Sequence, residues 1–291
     1  MTSTTSEGVP LSDVSRLLGV PMPTLRSWEL RYGIPETSRE PGKHRRYQSA
    51  DLHAMRLMRD EIARGKRASL AAQSVRALLG LDGAAAPHIT AFLKASASSD
   101  PVAIRAELDS AQSALGLGGC IDDVLFPAMQ QIGTWWQTGR CDIEQERLTT
   151  ETARAWLEAR AAFAPTPTHS EALILACGPS DLHTIGLEAL AVLLRYQHRS
   201  CRILGARTPV VALTTAVQAT KVPAVVIVSH LSTGRHRAVQ SLRAVHELGA
   251  VVFYAGNAFT APNNRRGIPG TYLGTRLTQA CSTIVDTLGP A

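Results

Sequence analysis

The hexapeptide Asp181-Leu182-His183-Thr184-Ile185-Gly186 sets an imidazole two residues after a carboxylate and a glycine three residues further on. That spacing suits metal ligation: one ring nitrogen can bind a metal while the carboxylate accepts a hydrogen bond from the other and fixes the tautomer. Gly186, lacking a Cβ, lets a bulky group approach the backbone. A second concentration of chemistry lies near the N-terminus. Arg39, Lys43, His44, Arg45 and Arg46 crowd around the turn Pro41-Gly42 and are closed by Tyr47, while Thr24, Arg26, Ser27, Arg31 and Tyr32 precede them in one helical stretch. Cations at that density grip phosphates, and an arginine can also meet a guanine edge through two parallel bonds. Catalytic patterns are missing: there is no Ser-His-Asp arrangement, phosphate loop or metal-hydrolase helix. The sequence therefore reads as a binding protein rather than an enzyme.

The elements that position these residues fall into three blocks. With 291 residues, 45% hydrophobic and 19% charged, two or three domains with real cores are expected. No run approaches the ~20 apolar residues of a membrane span, and MTSTTSEGVP has no secretory pattern, so a cytoplasmic protein is expected. The cysteines Cys120, Cys141, Cys177, Cys201 and Cys281 form no C-x-x-C pair and are odd in number, which argues against a disulfide framework and a zinc site. Of the net charge of +6, residues 1–80 hold 13 Lys/Arg against 8 Asp/Glu and the rest 17 against 16, which points the N-terminal block at a polyanion.

Breaks at Gly80 to Pro87 and Pro165 to Ser170 divide the chain into residues 1–80, 88–164 and 171–291. In the first block, LSDVSRLLGVPMPTLRSWELRYGI predicts a helix, a turn at Gly19 to Pro23 and a second helix capped by Thr24. This is helix-turn-helix spacing, with the second helix in the major groove and the basic turn as a phosphate-gripping wing. The middle block has helical periods over Ile104 to Leu115, Ile121 to Trp136 and Ile143 to Phe163, as in a helical bundle. The last block alternates strand-length apolar runs, 172–177, 200–206, 224–229 and 250–255, with helices such as Thr184 to Leu194 and Ala238 to Leu248. That pattern predicts a doubly wound parallel sheet, with ligand chemistry on the loops after Cys177, Ser229 and Ala255.

The stretch TLRSWELRYGIP…GKHRRYQSADL resembles the MerR family of regulators across roughly residues 9–77, with Trp28, Arg31-Tyr32 and Arg46-Tyr47 at family positions. The resemblance implies a winged helix-turn-helix that binds pseudo-palindromic promoter DNA as a dimer, with RNA polymerase as a further partner. Trp28 is read as a packing residue.

The D-x-H-x-x-G element resembles the cobalamin-binding domains of methyltransferases, mutases and light-responsive regulators. It implies His183 as lower cobalt ligand and Asp181 as its orienter. Ser229-His230-Leu231 matches the family's S-x-L, whose serine bonds the buried nucleotide tail, with Leu231 beside it. The family's Gly-Gly pair is half present as Gly256-Asn257, where Asn257 could narrow the tail pocket. IGTWWQTGRCDIEQER resembles the bundle motif of cobalamin-dependent MerR photoreceptors, a tryptophan followed ten residues later by Glu-His. On that register Trp136 and Glu146 form the upper lid, and Arg147 stands where a histidine is expected. Arginine stays protonated and cannot ligate cobalt.

The expectation is thus a multi-domain chain: an all-α winged helix-turn-helix, a four-helix bundle and a Rossmann-like (flavodoxin-like) α/β domain. It would act as a promoter-binding regulator that senses cobalamin, as adenosylcobalamin or another form, and light. Its states would be a DNA-binding homo-oligomer, dimer or tetramer, and a dissociated form. The alternatives are another tetrapyrrole or a protein partner as signal, and a cobalamin-dependent enzyme module, for whose catalytic barrel 291 residues leave no room.

Overall fold

The structure, a computed structural model, describes residues 8–35, 46–79, 83–137, 139–168, 171–220 and 222–289. Helix α1 (Leu11–Leu18) ends where Gly19 turns the chain at φ 64°, a left-handed conformation that glycine adopts without strain. Helix α2 (Met22–Tyr32) starts behind Pro21, with Pro23 in its first turn and no side-chain cap. The expected cap at Thr24 is therefore corrected: proline already presets the entry conformation, and Thr24 lies inside the helix. Strand β1 (Val9–Pro10) pairs antiparallel with β2 (Arg46–Tyr47), Val9 facing Tyr47. Helices α3 (Ser49–Ala63) and α4 (Ala68–Leu79) complete a small core of Val14, Leu25, Trp28, Ile34, Met55, Met58 and Val75.

The bundle comprises α5 (Ala86–Ala97), α6 (Pro101–Gly119), α7 (Phe126–Gln137) and α8 (Ile143–Ala162). Asp100 accepts from the Val102 and Ala103 amides at the start of α6, and Asp142 from the Gln145 amide at the start of α8, both ordinary N-caps. The helical period read from Ile121 to Trp136 is not one α-helix, because residues Cys120–Leu125 form a π-turn. The widened turn sends Asp122 across to the sheet domain, where it accepts from the Leu277 and Thr278 amides at 2.7 and 3.1 Å.

The third block runs β3 (Ala172–Cys177), α9 (Ile185–Tyr196), β4 (Ser200–Gly205), α10 (Val210–Thr220), β5 (Ala224–Val228), α11 (Arg235–Glu247), β6 (Val251–Ala255), β7 (Thr271–Tyr272) and α12 (Leu277–Leu288). The sheet order is β4-β3-β5-β6-β7, all parallel. The central strands are buried on both faces, which is why their sequences are continuous rather than alternating apolar runs. Ile174, Val225, Ile227 and Tyr254 pack on the α10–α11 side. Leu173, Leu175, Val226 and Phe253 pack on the α9–α12 side, in one cluster with Phe92, Ile121 and Trp156 of the bundle. Bundle and sheet therefore share a core, which fixes the bundle over one face of the domain. Arg154 of α8 adds an ion pair to Glu188 and a bond to the Thr184 hydroxyl at 3.3 Å. No described helix is long and apolar enough to cross a membrane.

Candidate functional site

Two sites emerge from these elements. On α2 the inner face is Leu25 and Trp28, 0% and 5% exposed, so the remaining faces turn outward. Arg26 and Arg31 are exposed, and Thr24, Ser27 and Tyr32 are half-buried beside them. Arg46 is exposed on β2 and bonds the Gly8 carbonyl at 3.1 Å. Tyr47 is buried and its hydroxyl donates to Glu29 of α2 at 3.4 Å, so it ties β2 to α2 rather than offering a surface contact. Arg39, Lys43, His44 and Arg45 lie outside the described residues. The exposed cations carry no metal-grade geometry, and phosphate contacts require none.

The second site sits on the carboxyl ends of β3, β5 and β6. After Cys177 the chain turns at Gly178, whose amide bonds the Val228 carbonyl at 2.8 Å. This brings Asp181, 1% exposed, under three donors: the His183 ring Nδ1 at 2.7 Å, the His183 amide at 2.9 Å, and the His230 amide. Burial pushes the Asp181 carboxyl up, but those hydrogen bonds outweigh it and hold it at about 2. An ionised carboxylate only accepts, so Nδ1 carries the proton and Nε2 keeps its lone pair for a metal. The bond to Asp181 raises the His183 pKa against desolvation, helped by the charge of Glu146 on α8. The His183 side chain is 57% exposed.

Around this imidazole the lip is apolar yet open: Leu182 is 57% and Leu231 46% exposed. On the bundle, Trp136 is 50% exposed while Trp135 packs into the core, so Trp136 is the one free to cover a ligand. Glu146 is half-buried and accepts from the Thr150 hydroxyl at 3.0 Å, and Arg147 is exposed. Gly186 is the second residue of α9, beside the bundle, where an added Cβ would lie 4.0 Å from Phe126. Ser229 is 1% exposed, with its amide on the Ala255 carbonyl. Gly256 holds φ 104°, and a Cβ there would fall 2.2 Å from the Ser229 carbonyl oxygen. Only glycine fits, so the first half of the glycine pair is sterically required, while Asn257 is exposed.

Sequence reasoning missed His230 as a participant. Its amide holds Asp181, and its ring lies 5.2 Å from that of His183 at 57°. Its place between Ser229 and Leu231 on a strand-end loop was the available signal. Also unread was the junction between the two sites. Arg64 at the end of α3 donates to the Thr134 hydroxyl at 2.8 Å, two residues before Trp136. Burial, then Arg140 of the α7–α8 connection, lowers the pKa of His53 on α3.

Residues 9–78 match the family described as MerR HTH family regulatory protein, and residues 89–160 match the B12 binding domain family. The chain is 30% identical to the HTH-type transcriptional repressor CarH of Myxococcus xanthus over 219 residues, 70% of this chain and 73% of that one. It is 29% identical to the HTH-type transcriptional repressor CarA of the same organism over 207 residues, 69% of each. In fold it is similar to a Methanosarcina barkeri monomethylamine corrinoid protein, with a TM-score of 0.57 and 12% identity over 67% of this chain and 96% of that one.

Proposed function

The chain belongs to the MerR-type family of transcriptional repressors that includes CarH and CarA, and from that premise we propose that its DNA binding is controlled by cobalamin seated on His183. The DNA-binding and cobalamin-binding domains are family properties of this chain. What is proposed is which residues do the work, in which ligand form, and in which assembly.

The observation that carries the reading is the state of His183: Nδ1 tied to an ionised, buried Asp181, Nε2 facing outward, and exposed leucines on both flanks. The donor set fits a corrin. A neutral imidazole is a suitable axial ligand, a flat apolar lip suits a macrocycle, and the tight Gly256–Ser229 contact leaves the serine hydroxyl on a rigid wall for the tail. When bound, cobalamin would supply a cobalt centre with exchangeable ligation. His183, oriented by Asp181, would ligate the metal, Ser229 would bond the nucleotide tail, and Trp136 and Glu146 would cover the ligand from the bundle. Arg147 offers no lone pair, so a light response in this chain proceeds without a protein nitrogen from that position.

Control reaches DNA only if the ligand binds two states of the chain unequally. The Arg64–Thr134 contact supplies a path, because it joins the lid helix α7 to the DNA-binding block. We infer a homo-oligomer on DNA, since a two-fold operator is read by paired recognition helices, and a regulator rather than an enzyme, acting in the cytoplasm. Titration of the purified chain with adenosyl-, methyl- and hydroxocobalamin, followed by visible absorption, tests the site. Stable coloured complexes that His183→Ala weakens are expected, and no binding of any form would remove the cobalamin assignment to His183.

A further inference from the structure

The two blocks behind the DNA-binding segment carry opposite charge. Residues 81–170 hold 6 Lys/Arg against 11 Asp/Glu, whereas residues 171–291 hold 11 against 5. The near-neutral remainder of the chain thus hides a basic sheet domain, and its cations are concentrated. Arg235 donates from Nε and Nη2 to the Asn264 carbonyl oxygen at 3.0 and 2.6 Å, and Arg243, two turns along α11, donates to the Gly267 carbonyl oxygen at 3.4 Å. The loop they grip carries Arg265, whose guanidinium lies 4.5 Å over the Tyr272 ring, and the exposed Arg266. Four guanidiniums therefore converge on the side of the sheet that faces away from the bundle.

None of the four has a carboxylate partner among the described residues, unlike Arg59, Arg64, Arg154, Arg160 and Arg276. A carbonyl tether orients a guanidinium without neutralising it and leaves other N–H groups free. Helix polarity opposes the arrangement as well. Helix α11 opens with Arg235-His236-Arg237 and no acidic residue in its first turn, where the positive end of the macrodipole disfavours cations. The fold gains loop tethers from Arg235 and Arg243 but no compensation of their charge, which an anionic partner would supply.

We propose that this surface is a second DNA-contacting face, which takes the phosphate backbone of duplex flanking the site read by α2; it rests on the reading of the chain as a DNA-binding regulator. The acidic bundle of a second copy is the competing counter-charge, but six of its eleven carboxylates are committed. Asp100 and Asp142 cap helices, and Asp109, Asp122, Asp123 and Glu151 engage arginines of their own chain. Duplex DNA presents one charge per ~1.7 Å of axis, dense enough for guanidiniums set this closely.

The test titrates the full chain with duplexes of arbitrary sequence, about 20 and about 60 base pairs long, so that only the longer extends well beyond two adjacent half-sites. Arg243→Ala/Arg266→Ala is expected to bind the long duplex about 10-fold more weakly at low salt and to flatten its salt slope by about 1 to 2, with the short duplex unaffected. Arg243→Lys/Arg266→Lys should restore both values, because a phosphate needs charge more than a fork. Unchanged affinity and slope on the long duplex overturn the proposal, and so do equal losses on both lengths. A changed sedimentation of the free protein with DNA affinity intact reassigns the surface to a second copy and equally overturns it. Arg26→Ala/Arg31→Ala, measured in parallel, separates the two failures: if that variant binds as the native chain does, it is the reading of α2 that falls.

Discussion

Arg26 and Arg31 on α2 and His183 on the loop after β3 all face solvent, yet they are held in opposite ways. The arginines project from a helix whose other face is buried through Leu25 and Trp28. His183 is fixed by its own ring, its own amide and a carboxylate that is in turn held by another strand's loop. The difference follows the chemistry of the partners. Phosphates accept a cation over a range of angles, so a loosely guided guanidinium suffices. On the proposed reading of His183, a metal requires one lone pair in one direction, which the buried hydrogen-bond network behind the imidazole would fix.

Damage to the hydrogen-bonded site should then be large and specific to ligand, while damage to the α2 face should be moderate and specific to DNA. Gly256→Val is expected to have the largest effect. It forces a branched side chain into φ 104° and against the Ser229 carbonyl, and should destabilise the sheet domain by about 3 kcal/mol or more, read as a drop in its thermal melting. His183→Ala should abolish the cobalt–imidazole spectral signature and lower the melting temperature of the free protein slightly, because Asp181 loses one of its three donors and keeps the two backbone amides. Asp181→Asn leaves the ligand in place but loses its anchor, and should weaken cobalamin about 10- to 100-fold. Next in size, Arg26→Ala or Arg31→Ala should each weaken operator binding by about 1–3 kcal/mol if it meets a base, with cobalamin affinity unchanged. The smallest effect belongs to Arg64→Ala, at the junction of the two regions. Losing the hydrogen bond to Thr134 together with the ion pair to Glu61, a carboxylate that Lys66 still neutralises, should lower stability by about 1 kcal/mol, and should reduce the effect of ligand on DNA affinity more than either affinity itself.

The sequence was legible where one local rule decides. The long apolar runs of β3 and β5 are strands because a doubly covered sheet needs them, and their bounds agree to within a residue with the runs at 172–177 and 224–229. Strand β7, two residues long, gives no such pattern and was invisible. Thr24 was misread because a cap residue and a proline-started helix make the same turn, and Pro21 and Pro23 decided it. The π-turn at Cys120–Leu125 keeps an apolar face much like that of an α-helix, so periodicity alone did not separate them. His230 and the Arg64–Thr134 contact depend on residues 49 and 70 positions apart meeting in space, which spacing along the chain does not encode.

The most direct measurement of the central claim is the affinity of the full chain for a duplex selected by the protein from a random pool, with and without cobalamin, in darkness and after illumination. The account predicts that cobalamin shifts this affinity in the native chain and leaves it unmoved in His183→Ala. Equal affinity with and without a ligand that absorption shows to be bound would contradict it.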